Sequence, residues 1–229
     1  MRPALVLFDI DGTLILTGRA GQRAMTSAFQ DVYGVPDAFT TVPMAGRTDT
    51  SLVSDAFLQH GIPDTADSHA KFRTAYLEKL SREIHLPGFG RKGVMPGARE
   101  LLAALSGYPD LHVALLTGNY RDAAAIKLTF FDLWNHFSWG AFSDDAGDRN
   151  LLVPIARERA KSLGVPQAAR DRAIVIGDTP DDVRCARAAG ALSIAVATGG
   201  FDADALRAAG ADVVLTDLSD TQAVLTLLI

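Results

Sequence analysis

Six short, mostly apolar runs punctuate the chain: ALVLF (4–8), HVALL (112–116), WGAF (139–142), AIVI (173–176), LSIAVA (192–197) and DVVLT (212–216). Short apolar runs bounded by turn residues are the pattern of strands covered on both faces. Between them, apolar residues recur at helical spacing in GARELLAALSG, NYRDAAAIKLTFFDL, LLVPIARERAKSLG and DDVRCARAAG, several of which close on or near glycine. This alternation predicts a right-handed βαβ series: an α/β fold with a Rossmann-like, doubly wound parallel sheet covered by helices.

One segment interrupts the alternation. Residues 15–90 carry no convincing buried strand but three amphipathic patterns, near 20–33, 50–60 and 65–84. They predict an all-helical unit inserted after the first strand. Its first hinge falls just after Leu14, and its second within 86–96, where LPGFGRKGVMPG concentrates glycine and proline. The expected division is therefore a core of 1–14 and 91–229 and a helical insertion of 15–90.

Composition narrows the classes of function. With 229 residues, 48% hydrophobic and 21% charged, the chain can bury one sizeable core and a smaller satellite. A net charge of -5 gives no basic footprint for nucleic acid or an anionic membrane, and no apolar run is long enough to span a bilayer. The lone Cys185 permits no internal disulfide, and the N-terminus lacks the pattern of a secretory signal. A cytoplasmic location is expected, with Cys185 a buried helix residue.

The chemistry gathers where the runs end. In an open parallel sheet, ligands bind beyond the carboxyl ends of the strands. The first run ends in Asp9, Asp11 and Thr13, the second in Thr117, Gly118 and Asn119. WGAF leads to SDDAGDRN with Arg149, and AIVI runs into GDTPDD with Asp178 and Asp182. If Asp9, Asp11 and Asp178 converge, their repulsion needs a positive partner, because uncompensated buried charge is costly. The candidate ligands are all hard oxygens without histidine or cysteine, which suits Mg²⁺ better than zinc.

Together these stations resemble the haloacid dehalogenase-like hydrolase superfamily, and within it the phosphoglycolate phosphatase-like branch with a helical cap. DIDGT matches the first motif, LLTGN the second and GDTPDD the fourth, over a core from residue 5 to about 200. The third motif usually carries lysine; no lysine lies between 128 and 160, and Arg149 is the substitute. The resemblance implies that Asp9 is a nucleophile forming an aspartyl-phosphate and that Asp11 is a general acid, then base. Mg²⁺ would be held by Asp9, Asp178 and the backbone carbonyl of Asp11. Thr117, the Gly118 and Asn119 segment and Arg149 would bind the phosphate, with Asp182 and Thr13 supporting them from behind.

Dehalogenases of the superfamily lack an acid at the Asp11 position, and phosphonate hydrolases carry a small residue there. The acid therefore points to a Mg²⁺-dependent phosphatase acting on a small phosphate monoester, phosphoglycolate being the family-level favourite. A sugar phosphomutase would use the same two acids, and a phosphorylated receiver domain would share the sheet without needing a cap. In the insertion, Arg47 of AGRTD is the candidate for substrate choice.

Other signals carry less. GFGRKG formally matches a dinucleotide fingerprint but follows no strand and opens no helix, so it reads as a hinge. ATGGF reads as a loop, with a backbone approach to the site as the alternative, Asp144, Asp145 and Asp148 as a solvated loop whose nearness to Arg149 could tune its position, and the five histidines as surface or packing residues.

Overall fold

The computed structural model describes residues 2–229. Its strands are β1 (Ala4–Phe8), β2 (Ile15–Thr17), β3 (Lys92–Val94), β4 (Leu111–Leu116), β5 (Gly140–Ala141), β6 (Ala173–Gly177), β7 (Leu192–Val196) and β8 (Val213–Leu215). Its helices are α1 (Ala20–Tyr33), α2 (Asp49–His60), α3 (Ala66–Glu83), α4 (Ala98–Leu105), α5 (Arg121–Phe130), α6 (Leu152–Ser162), α7 (Gln167–Asp171), α8 (Pro180–Ala188), α9 (Ala203–Ala208) and α10 (Thr221–Leu228).

Six strands form one sheet in the order β5-β4-β1-β6-β7-β8, every neighbouring pair parallel. The six apolar runs thus became the six strands of a doubly wound sheet, with β1 at the centre. Its residues alternate between the two faces. Ala4, Val6 and Phe8 join the cluster built with α4, α5 and α10, while Leu5 and Leu7 join the cluster under α6, α7 and α8. Burial on both faces explains why these strands read as continuous apolar runs.

Three helices, α1 to α3, lie between β2 and β3 and share a separate core. Phe29 stands at its centre, with ring centroids 5.4 Å from Phe39, 5.8 Å from Phe57 and 6.0 Å from Phe72. Tyr120 and Ala123, at the start of α5, enter the same cluster and tie it to the sheet unit.

The insertion is not wholly helical at its base. β2 pairs antiparallel with β3, Ile15 opposite Val94 and Thr17 opposite Lys92, so the chain leaves and returns through a two-stranded ribbon. Three residues are too few to show a period, which is why ILT left no strand signal. Beyond the ribbon, Gly18 and Gly88 meet so closely that a Cβ on Gly18 would lie 2.6 Å from the Gly88 Cα. GFGRKG is therefore a packed crossing of the two connections. Among the described residues, no helix is long and apolar enough to cross a membrane.

Candidate active site

Strand register brings the motif ends together. Phe8 of β1 is level with Leu115 of β4 and Ile176 of β6, so Asp9 emerges between Leu116-Thr117 on one side and Gly177-Asp178 on the other. This is the switch point of the sheet, where the connection from β1 runs to β4 through α4 on one face and the connection from β6 runs to β7 through α8 on the other, so the ends of β1 and β6 splay apart. The backbone turns sharply after Asp11. Gly12 has φ +88°, and a Cβ there would lie 2.2 Å from the Asp178 carboxylate. Only glycine satisfies both the left-handed backbone and this approach. Thr13 Oγ1 then donates to Asp178 Oδ1 at 3.3 Å.

Asp9, Asp178 and Asp182 are buried and each offers a carboxylate oxygen within 4.8 Å of the others. Arg149, itself buried, places Nη2 3.0 Å from Asp9 and 2.5 Å from Asp182. One guanidinium thus faces three carboxylates. Burial pushes the Asp9 carboxyl up to about 7, against the pull of Arg149, and Asp182 and Asp11 push the same way. Burial also holds Asp178 well above the ordinary carboxylate range, with Asp182 and Asp9 adding to it. Arg149 is raised: burial opposes its charge, but Asp182 and Asp9 outweigh that.

The three acids differ in their prior commitments. Asp182 accepts from Arg149 with Oδ1 and from the Thr179 amide and hydroxyl with Oδ2, at 3.1 and 2.7 Å, closing the box that starts α8. It therefore orients Arg149 and the loop. Asp178 meets only the Thr13 hydroxyl among the described side chains and backbone donors. An all-oxygen set short of positive charge fits a hard divalent cation, with Asp9 and Asp178 as its carboxylates.

Asp11 belongs to a second cluster. Its Oδ2 accepts from Asn119 Nδ2 at 2.8 Å and from Lys127 Nζ at 2.6 Å, and Lys127 also donates to Asn119 Oδ1 at 2.5 Å. Asn119 Nδ2 reaches Thr117 Oγ1 as well, at 2.8 Å. The Asn119 side chain is spent on Asp11, Thr117 and Lys127, while Asn119 itself lines the cavity. Lys127 was missed because it lies on α5 and outside every motif. The signal was there: positions 120, 123, 124, 127 and 128 share one helical face, and a lysine on a buried face needs a carboxylate.

The chain between α1 and α2 covers this edge. The Asp49 amide donates to the Gly118 carbonyl at 2.6 Å, and the Asp49 carboxylate accepts from the Tyr120 amide at 2.8 Å. Thr48 Oγ1 donates to Gly147 O at 2.6 Å and accepts from the Ser51 amide at 3.1 Å, starting α2. Arg149 Nη1 reaches Gly46 O at 3.1 Å. Contact is so close that a Cβ on Gly118 would lie 2.0 Å from the Arg47 carbonyl. Between the helical unit and the sheet edge a cavity of about 700 Å³ is lined by Asp9, Asp11, Arg47, Thr117, Arg149 and Asp178, among others. Arg47 sits on its wall, with Nη2 2.5 Å from Asp55 of α2.

For two segments the structure favours the alternative that the sequence left open. Gly199 and Gly200 of ATGGF line the cavity, because Thr198 Oγ1 donates to the Gly12 carbonyl at 2.5 Å and draws that loop in. The acids after β5 are not simply solvated. Asp145 pairs with Arg159 at 2.8 Å, Asp144 accepts from the Arg121 amide at 2.6 Å, and Asp148 caps Asn150 at 2.9 Å. Together they fix the loop that presents Arg149. Cys185 is buried under that loop, its thiol pushed up to about 12 by burial despite Arg149 nearby, so it is an unreactive packing residue.

A family model for haloacid dehalogenase-like hydrolases matches residues 3–190. The chain belongs to the haloacid dehalogenase-like hydrolase family. Within that family it is 27% identical over 219 residues to a phosphoglycolate phosphatase of Rhodospirillum rubrum, covering 95% of this chain and 88% of the relative. It is also 26% identical to glycerol-1-phosphate phosphohydrolase 2 of Saccharomyces cerevisiae, covering 91% and 80%. The crystal structure of a hydrolase from Pseudomonas syringae superposes with a TM-score of 0.71 at 26% identity, covering 98% of both chains.

The Arg149 geometry yields a test. If Asp9 reacts with phosphate, Arg149→Ala should lower kcat/KM by about 10² or more, the scale of losing a preorganised donor at the site, and Arg149→Lys should recover part of it. Steady-state kinetics on p-nitrophenyl phosphate reads the effect. Near-normal activity in the alanine variant would remove Arg149 from the reaction.

Proposed function

We propose that this hydrolase cleaves a small phosphate monoester through an aspartyl-phosphate on Asp9, with Mg²⁺ as its metal. The observation that carries the reading is the placement of Asp9: at the tip of the central strand, 3.0 Å from a buried guanidinium and within 4.8 Å of Asp178, at the floor of a cavity. A carboxylate so placed can meet a phosphorus atom whose oxygens are held by positive charge and backbone donors.

In the first step an Asp9 oxygen forms a bond to phosphorus as the P–O bond to the leaving group breaks, and Asp11 passes its proton to the departing oxygen. In the second, Asp11 takes a proton from water, the water oxygen attacks phosphorus, and the bond to Asp9 breaks to release inorganic phosphate. Arg149, Thr117 and the Gly118 amide region hold the phosphoryl oxygens where charge develops. Mg²⁺, with Asp9, Asp178 and the Asp11 carbonyl as its ligands, would neutralise part of that charge.

Residues 15–90 act as the cap in this reading. Their loop at 44–50 lies on the catalytic edge, excludes water and selects the ester. Arg47 on the cavity wall suits a remote carboxylate or hydroxyls, as in a phosphorylated hydroxy acid or polyol. The relatives named for phosphoglycolate and glycerol 1-phosphate fall in that range. The buried single cysteine is consistent with a reducing, cytoplasmic setting.

A phosphate-release screen over small phosphomonoesters, with and without Mg²⁺, tests the function; isomerisation of a sugar phosphate without phosphate release would favour the mutase. Asp9→Asn should leave the fold intact and reduce turnover below a few per cent, and greater residual activity would end its role as nucleophile. Arg47→Ala should lower kcat/KM for the preferred ester by about 1.5–3 kcal/mol, as for a lost charge-assisted hydrogen bond, while barely affecting p-nitrophenyl phosphate. Equal loss on both would assign Arg47 to the phosphoryl site or the fold.

A further inference from the structure

Lys127 is a core residue with only 5% of its surface exposed, yet none of the four motif segments contains it. A buried ammonium is retained only where its charge is met, and here it is met by two groups at 2.5–2.6 Å, Asn119 Oδ1 and Asp11 Oδ2. The Asn119 amide meets the same Asp11 oxygen. Two donors on Oδ2 fix the carboxylate's rotation and leave Oδ1 without a hydrogen-bond partner among the described residues.

Lys127 is also where the insertion touches this arrangement. Gly21 of α1 lies over the ammonium, close enough that a Cβ there would stand 3.5 Å from Nζ and 3.7 Å from the Tyr76 hydroxyl of α3. The buried Asp49 carboxylate at the start of α2 lies within electrostatic reach of Lys127. Three elements of the helical unit therefore enclose a cation whose hydrogen bonds all belong to the sheet unit. Lifting that unit would admit water to Lys127 and loosen its hold.

We infer that Lys127 is a positioning residue: with Asn119 it clamps Asp11 by Oδ2, and the clamp is completed only when the helical unit covers its ammonium. This rests on the reading of Asp11 as the group that protonates the leaving oxygen. Lys127 does not substitute for Arg149, since its partners are Asp11 and Asn119 and those of Arg149 are Asp9 and Asp182.

The test is a double-mutant cycle read on two leaving groups: the faster of 2-phosphoglycolate and glycerol 1-phosphate, whose alkoxide needs a proton, and p-nitrophenyl phosphate, whose phenolate needs little. Lys127→Met should lose at least tenfold more kcat/KM on the alkyl ester than on the aryl ester, as should Asp11→Asn. In an Asp11→Asn background, Lys127→Met should change alkyl-ester turnover by less than about threefold, because the residue acts through Asp11. Melting curves report whether each variant folds, and Lys127→Gln serves if the methionine variant does not. Equal losses on both esters, or full additivity with Asp11→Asn, would overturn the inference and make Lys127 a structural or substrate-binding residue. If Asp11→Asn discriminates between the esters and Lys127→Met does not, the inference alone fails. If Asp11→Asn itself loses equally on both, the general-acid reading falls and the inference with it.

Discussion

Three buried carboxylates within 4.8 Å of one another, faced by one buried guanidinium, are the constraint around which this molecule is organised. Burial raises the Asp9 and Asp178 carboxyls, and the neighbouring like charges push them further the same way. The parallel sheet creates the crowding by bringing β1 and β6 out side by side at a switch point. The same crowding, short of positive charge, fits the site for a hard divalent cation.

The surroundings divide the work. Asp182 is held by Thr179 and in turn holds Arg149, whose loop is fixed by Asp144, Asp145 and Asp148. Gly12 and Gly199 remove the side chains that would collide with Asp178, and Gly118 lets the chain at Arg47 lie directly on the second motif. Asp11 has its own cation, Lys127, so Asp9 and Asp11, the two acids of the proposed mechanism, sit in different electrostatic settings two residues apart. Such separation of environments is how neighbouring carboxylates are given different roles. The loop at 44–50 reaches both settings, through Gly46 to Arg149 and through Asp49 to Gly118 and Tyr120.

Much of this was legible in the chain, for definite physical reasons. Strands buried on both faces appear as unbroken apolar runs, and acids directly after such runs have few structural explanations, so the sheet and Asp9, Asp11 and Asp178 stood out together. Arg149 was reachable because it alone supplied a cation near the expected third station. Lys127 and Asp49 were not reached because each lies within or at the start of a helix and acts across the chain, over 116 residues for the Lys127 contact to Asp11. Asn119 was visible in the sequence beside Thr117, but the bonds that join it to Asp11 and Lys127 cross between elements and were not. The ribbon of β2 and β3 is three residues wide per strand, below the length at which periodicity speaks.

If the crowded carboxylates form the proposed cation site, a divalent cation must displace a proton from them, and calorimetric titration of the metal-free protein with Mg²⁺ tests this most directly. Done in two buffers of different ionisation enthalpy, it counts the protons released on binding. At pH 6 a carboxyl with its pKa near 7 is mostly protonated and must lose that proton to become a ligand, so binding should release about one proton or more. Release should shrink toward pH 8, and Asp178→Ala should weaken binding sharply. Binding without proton release at pH 6, or with equal affinity in Asp178→Ala, would contradict the account.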